Sequence, residues 1–263
     1  MARFDPETYV RYRIAYPPSV FEGLRPWVGS VGGTSGIRAA DLGAGTGYSA
    51  LSLIRALPVS KLVLIEPDPS MLEVATQTLA DVESQIEYRV ASGEDSIEDL
   101  EVDLVLAASS WHWMDPARSL QVIEKVLRPG GVFFVVEYQF PKLEGLAELN
   151  EWVRREFNLR WRAKGQRPRG SLFELTEPVR CAESFSQRGV LRVEHALEFT
   201  LEEFVGVIRS QSRYLAYEAR LEEPLRLRER ERMLEALRRL WGGRANVPGS
   251  YSLEGYWFVK RWG

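Results

Sequence analysis

An apolar run from Ile37 that closes in Asp41-Leu42-Gly43-Ala44-Gly45-Thr46-Gly47 constrains this chain more than any other stretch. It reads as a buried strand, a tight turn and the start of a helix. Gly43, Gly45 and Gly47 allow a sharp reversal and bring main-chain N–H groups within reach of a ligand that a Cβ would keep away. Ser49 to Leu57 has helical spacing, with Leu51, Leu53, Ile54 and Leu57 available to pack on a sheet. A strand, a glycine turn and a helix N-terminus hold a nucleotide-like ligand at the carboxyl ends of a parallel sheet. The glycines run G-x-G-x-G, with the third one residue earlier than in the dinucleotide fingerprint G-x-G-x-x-G. Asp41, two residues before the first glycine, would repel a pyrophosphate and suits a cationic ligand with an amino group.

The chain of 263 residues is long enough for one large α/β domain, and its 45% hydrophobic and 11% aromatic content can build a real core. A net charge of −3 demands neither nucleic acid nor an acidic membrane. The single cysteine, Cys181, excludes an intramolecular disulfide framework and any CxxC site, and two histidines, His112 and His195, speak against a His-based metal site. The N-terminus lacks a signal-peptide apolar segment and no apolar run reaches membrane-spanning length, so a cytoplasmic protein without a membrane partner is expected.

The glycine turn with its preceding acid resembles motif I of the class I S-adenosylmethionine (SAM) dependent methyltransferases. Further stretches resemble the same family in the same order. Tyr12-Arg13-Ile14-Ala15-Tyr16-Pro17 is similar to a Y-R-P-x-Y-P segment, with Ile14 in place of the proline. Lys61 to Glu66 is a buried strand ending in an acid about 20 residues past the glycine turn, where both ribose hydroxyls can be accepted. Ala91-Ser92-Gly93-Glu94 resembles a G-x-A-E motif, and Ser109-Ser110-Trp111-His112-Trp113-Met114-Asp115 resembles an HWF-D segment of small-molecule methyltransferases. Leu127-Arg128-Pro129-Gly130-Gly131 before an apolar strand is a further recurrent feature, and Asp103 in V-D-L-V is the family's strand-start acid, with a structural role expected.

The resemblance implies a Rossmann-like α/β fold: a seven-stranded, mostly parallel sheet in the order 3-2-1-4-5-7-6, with helices on both faces and a helical cap. Residues 1–263 form a single domain in this reading, with an N-terminal lid (1–28), a SAM-binding core (37–140), a cap containing strand six (141–250) and a last antiparallel strand (251–260). It implies SAM as cofactor, S-adenosylhomocysteine as product and no metal. Arg13 and Tyr16 from the lid, Asp41, Gly43, Gly45, Gly47, Glu66, Pro67, Met71, Ser92, Gly93, Glu94 and Ser109 would bind it. Trp111, His112, Trp113 and Tyr138 would face a small-molecule acceptor. The two tryptophans can wall off water and hold a sulfonium by cation–π attraction, or can simply pack the following helix. His112 and then Glu137 are the candidate bases for a hydroxyl or carbon acid; a carboxylate acceptor needs none.

Local patterns complete the expected elements. Helices are predicted over Pro18 to Val28, Pro116 to Leu127, Leu143 to Ala163 and Glu222 to Trp241, strands over Val102 to Ala108, Val132 to Tyr138, Leu191 to Phe199 and Tyr251 to Lys260. Gly29 to Gly36 and the basic Lys164 to Gly170 read as loops, and Thr200-Leu201-Glu202-Glu203 as a capping box. Three rival functions share parts of this pattern: a nicotinamide oxidoreductase, a nucleic-acid methyltransferase, which the charge and the lack of an N/D-P-P-Y/F segment disfavour, and a non-catalytic SAM-binding or partner-binding protein. A monomer or homodimer is expected.

Overall fold

The computed structural model describes residues 6–32, 36–82, 85–95, 100–162 and 170–262. Its strands are β1 (Ile37–Leu42), β2 (Val59–Glu66), β3 (Gln85–Val90), β4 (Val102–Ala108), β5 (Leu127–Tyr138), β6 (Lys142–Leu143), β7 (Phe185–Phe199) and β8 (Val247–Lys260). Contacts divide the chain into a larger unit (Ala15–Tyr138, Arg169–Val193, Leu253–Gly263) and a smaller one (Met1–Ile14, Gln139–Pro168, Glu194–Ser252).

In the larger unit β3, β2, β1, β4 and β5 lie side by side, all parallel, and β8 follows antiparallel to β5. Ala39, Ala40, Leu62, Leu64, Leu104, Leu106 and Phe133 to Val136 are fully buried. A sheet covered on both faces requires such continuous apolar strands. Helices follow the strands because acids cap them. Asp68 accepts the Ser70 N–H at the start of Pro69–Thr78, and Asp115 accepts those of Ala117 and Arg118 at the start of Pro116–Val126. Asp103 has the structural role expected of it. Buried at the start of β4, it accepts the Arg38 N–H of β1 (2.8 Å) and the Arg128 guanidinium of β5 (3.1 Å), so one carboxylate clamps three adjacent strands.

The strand order differs from the expected one through one added element. The two-residue β6 pairs with Gly249 and Ser250 at the start of β8, so the last strand becomes the eighth, and β7 pairs with β8. A two-residue strand has no periodicity to read. The Asn150 side chain holds it, accepting the Leu143 N–H (3.0 Å) and donating to the Leu143 carbonyl (2.7 Å).

Two helices also depart from expectation. In place of one from Pro18 to Val28 there are Ser19–Glu22 and Arg25–Gly32. Pro26 cannot continue a helix from the preceding turn, since it lacks an N–H and its ring meets the carbonyl four residues back. The second helix runs into the expected Gly29 to Gly36 loop, of which residues 33–35 lie outside the described residues. In the smaller unit the helix begins at Ala147, past Gly145 (φ +66°), and ends as a π turn over Glu156–Arg160. Residues 164–169 of the basic loop also lie outside the described residues.

The smaller unit is built on helices and rings. The capping box at Thr200 opens Leu201–Arg209 as expected, and Gly242 (φ +66°) closes Glu223–Trp241. Phe157, Trp161 and Tyr214 meet edge to face at 4.8 and 4.9 Å between centroids. Glu218, buried beneath them, accepts Tyr214 Oη and a two-point contact from Arg230, whose charge holds the carboxyl below its ordinary range against the opposing effect of burial. Helix Pro6–Tyr12 belongs here too, with the Tyr12 ring lying on Gly206 and Arg11 paired with Glu202 at 2.8 Å. Among the described residues no helix is long and apolar enough to cross a membrane.

Candidate active site

The parallel order places the ends of β1, β2, β4 and β5 along one rim of the larger unit, and Asp41, the glycine turn, Glu66, Ser109, His112 and Glu137 lie at those strand ends. Gly43 (φ +70°), Gly45 (φ +55°) and Gly47 (φ +81°) occupy the left-handed region between β1 and helix Tyr48–Ala56. A Cβ on Gly43 would stand 2.5 Å from Ser110 Cβ, whereas one on Gly45 would meet no atom within 4 Å. The two glycines therefore serve different ends: Gly43 lets β1 lie against the turn after β4, and Gly45 opens the loop toward a ligand.

Asp41 is fully buried at the end of β1. One carboxylate oxygen accepts Ser49 Oγ from the first turn of the following helix (2.7 Å) and the other, Oδ1, is buried with no hydrogen-bond partner. Burial drives its pKa up from the ordinary 3.8 to about 7; the Ser49 hydroxyl lowers it and the charge of Glu66 raises it. A buried acceptor without a partner is costly, and a cationic donor placed there offsets that cost. Glu66, at the end of β2, accepts Gly45 N–H on one oxygen (3.0 Å) and Asp68 N–H on the other (3.1 Å). Burial raises its pKa and those two bonds lower it. The glycine loop is thus fastened to the acid that stands where a ribose would be accepted. Met71 is buried and Pro67 exposed at the start of the next helix.

On the far side of β1, the chain leaves β4 through Ser109. It is the one non-glycine among the described residues with positive φ (+52°). Its N–H donates to Val136 of β5 (2.7 Å), and its hydroxyl shares a hydrogen bond with Tyr16 Oη (2.7 Å). The Tyr16 ring lies 5.7 Å from that of Tyr138. Next comes a single 3-10 turn, Trp111–Trp113. Its His112 Nδ1 lies 3.0 Å from Glu137 Oε1, so the two candidate bases form one pair; Glu137 is buried and His112 half-buried.

Residues 40–135 match the methyltransferase domain family. Over that stretch the chain is similar to the methyltransferase domain family. An uncharacterized methyltransferase of Mycobacterium tuberculosis is 35% identical over 150 residues, and that match spans 56% of this chain and 56% of the relative. A structure from Anaeromyxobacter dehalogenans named as a type II methyltransferase superposes with a TM-score of 0.64 at 22% identity, over 94% of this chain and 97% of that one. The phosphoethanolamine N-methyltransferase 2 of Haemonchus contortus, solved with S-adenosyl-L-methionine, gives 0.50 at 14% identity, over 98% of this chain and 57% of that one. At these identities the two structures establish the fold.

Several of the expected site residues have other duties. Trp111 is core, not an acceptor wall: it is fully buried, packs on Phe133 (5.2 Å) and donates its indole N–H to the Leu175 carbonyl (2.8 Å). Trp113, two residues on, is half exposed with its ring 5.0 Å from that of His112. Glu94 accepts the Asp115 N–H (2.6 Å), so its carboxylate fastens the turn before helix Pro116–Val126. Ser92 N–H donates to Asp95 (2.6 Å), and Gly93 is packed so that a Cβ would stand 2.9 Å from Met114 Sδ. Arg13 belongs to the smaller unit, where it donates to the Ser210 carbonyl (3.0 Å) and lies over the Tyr9 ring (4.8 Å). Ser49 and Ser110 are site residues that sequence reasoning passed over. Ser49 is signalled by its place two residues after Gly47; Ser110, whose hydroxyl donates to the Leu42 carbonyl, carries no local signal. Among the described residues no group of three His, Cys, Asp or Glu side chains could hold a metal ion.

The two glycines can be separated experimentally. Gly43→Ala is expected to lower stability by roughly 3 kcal/mol or more, the sum of left-handed strain and the clash with Ser110. Gly45→Ala carries only the strain, about 1 kcal/mol, yet is expected to lose most cofactor affinity. Thermal unfolding of both variants, with and without SAM, checks this.

Proposed function

We propose that this protein transfers the methyl group of SAM to a small-molecule acceptor, through a carboxylate or hydroxyl oxygen, and releases S-adenosylhomocysteine. The observation that carries this reading is Asp41, a fully buried acid with one oxygen lacking a partner, set under an open glycine turn. That combination suits an amino cation beside a nucleoside and is wrong for the pyrophosphate of a nicotinamide dinucleotide. The family match supports SAM as that ligand. With the lack of a membrane-crossing helix among the described residues, we infer a cytoplasmic enzyme.

When bound, SAM supplies a sulfonium methyl open to in-line displacement. Asp41 would take its amino group, Glu66 the ribose hydroxyls, and Pro67 and Met71 the faces of the adenine. Glu66 is already held in one orientation by two backbone N–H groups, so little order is lost on binding. Charge is dispersed in such a reaction, and positioning and exclusion of water supply most of the acceleration. For a hydroxyl acceptor the proton must leave. With Nδ1–H directed at Glu137, the basic nitrogen of His112 is Nε2, and the Glu137 charge stabilises the imidazolium that forms.

The test is calorimetric titration of the full chain with SAM, S-adenosylhomocysteine and NADH, followed by an acceptor screen. Binding of the first two with turnover of a carboxylate or hydroxyl compound is the expected result. Binding without turnover on any acceptor would favour a SAM-binding partner protein, and binding of NADH alone would overturn the proposal.

A further inference from the structure

We propose that β7 is a dimerisation strand, pairing antiparallel with β7 of a second copy of this chain so that Val193 faces its own counterpart. β7 runs fifteen residues, and among the described residues its only strand neighbour is β8. Its side chains alternate strictly from Arg188 to Glu198: Arg188, Val190, Arg192, Glu194, Ala196 and Glu198 are exposed, while Gly189, Leu191, Val193, His195 and Leu197 are half-buried. Edge strands are ordinarily blunted by proline, by charged side chains, by bulges or by a covering element, and charges on the inward side do so most directly; exposed charges blunt an edge only toward partners of the wrong pattern. From Phe185 to Phe199 there is no proline, and the half-buried side carries no Asp, Glu, Lys or Arg.

The order of the charges on the exposed side selects the partner. Both arginines precede both glutamates. Antiparallel pairing about Val193 sets Arg192 opposite Glu194 of the second copy, Arg188 opposite Glu198 and Val190 opposite Ala196, and the twofold axis repeats each pair. On the other side it sets Leu191 opposite His195 and Gly189 opposite Leu197. Opposite charges directly across a strand pair stabilise it and like charges oppose it. A slip of two residues either way brings Arg192 or Glu194 against its own copy, a slip of one turns charges onto apolar side chains, and parallel pairing in register sets like charges together throughout. A slip of four still sets Arg188 opposite Glu194 or Arg192 opposite Glu198, but only the register about Val193 pairs all four charges with their opposites. Within the chain Arg192 reaches Glu254 at 3.4 Å, Glu194 accepts the Ser252 hydroxyl and Arg188 lies over the Trp27 ring at 6.0 Å.

Sedimentation equilibrium on the full chain tests this. The wild type is expected to dimerise, with affinity falling as salt rises. Arg192→Glu and Glu194→Arg, each of which sets like charges together twice, are expected to weaken the dimer about tenfold or more. The double variant R192E/E194R restores opposite pairs and is expected to recover it, with circular dichroism confirming that every variant is folded. Arg188→Glu, alone and with Glu198→Arg, repeats the test farther from the axis. A wild type that stays monomeric at its highest soluble concentration overturns the proposal. So does a dimer indifferent to the single reversals, or one that the double variant fails to restore.

Discussion

Asp41→Asn is expected to make the ligand-free protein more stable at pH 8 while weakening its binding of SAM. Burial holds the Asp41 pKa near 7, well above the ordinary 3.8. The native state therefore keeps a proton that the unfolded chain releases, and stability contributed by this group falls as pH rises from about 4 through 7. The span corresponds to roughly 4 kcal/mol at pH 8. Asparagine occupies the same space, keeps an acceptor for Ser49 and carries no charge. The unfolding midpoint is expected to rise at pH 8 by about 5 °C or more and to change little near pH 4. The same substitution removes the counter-charge for the amino group, at a cost of roughly a hundredfold or more in affinity. Wild-type binding is also expected to release protons below pH 7, because the cation draws Asp41 back to its ionised form. Titration heats in buffers of differing ionisation enthalpy measure this directly. Equal stability of the two proteins across the pH range would show that Asp41 does not carry this burden.

The His112–Glu137 pair makes the second large prediction, and its outcome sorts acceptors. With a hydroxyl acceptor, His112→Ala is expected to lower kcat by about a hundredfold to a thousandfold with the SAM affinity unchanged. Glu137→Gln keeps a hydrogen-bonding group of the same shape but withdraws the charge that faces the imidazolium, for a loss of roughly tenfold to a hundredfold. With a carboxylate acceptor neither proton transfer nor imidazolium occurs, and kcat stays within a few-fold in both variants. A drop in SAM affinity instead would mean that the pair supports the cofactor loop and not the acceptor.

The features legible in the sequence were those encoded within a dozen residues. The strand, glycine turn and helix around Asp41 announce themselves by local spacing. β4 runs over Val102–Ala108 as its apolar run predicts, and Glu66 ends β2 where the pattern ends. What was not legible depends on direction within one turn or on registry between distant segments. Trp111 and Trp113 look equivalent in sequence, yet one 3-10 turn sends the first into the core and the second outward. His112 and Glu137 are individually conspicuous, but their contact follows from the β4–β5 register that sets Ala108 beside Val136. The Ser110 bond to Leu42 has the same origin, since β4 also lies next to β1. β6 and the π turn at Glu156–Arg160 are too short to leave a period at all.

The position of β8 bears on how the chain is made. The larger unit is assembled from three separate stretches, and its last contribution, Leu253 to Val259, covers the edge of β5. A nascent chain emerging from the ribosome has all five parallel strands available once Tyr138 is out. The hydrogen-bonding edge of β5, with Phe133 and Phe134 beside it, then stays bare while more than a hundred further residues are translated. Bare apolar edges invite association with other chains. Translation stalled anywhere between β5 and β8 is thus the point at which this protein most needs a chaperone, and fragments ending before Leu253 are expected to aggregate when expressed alone.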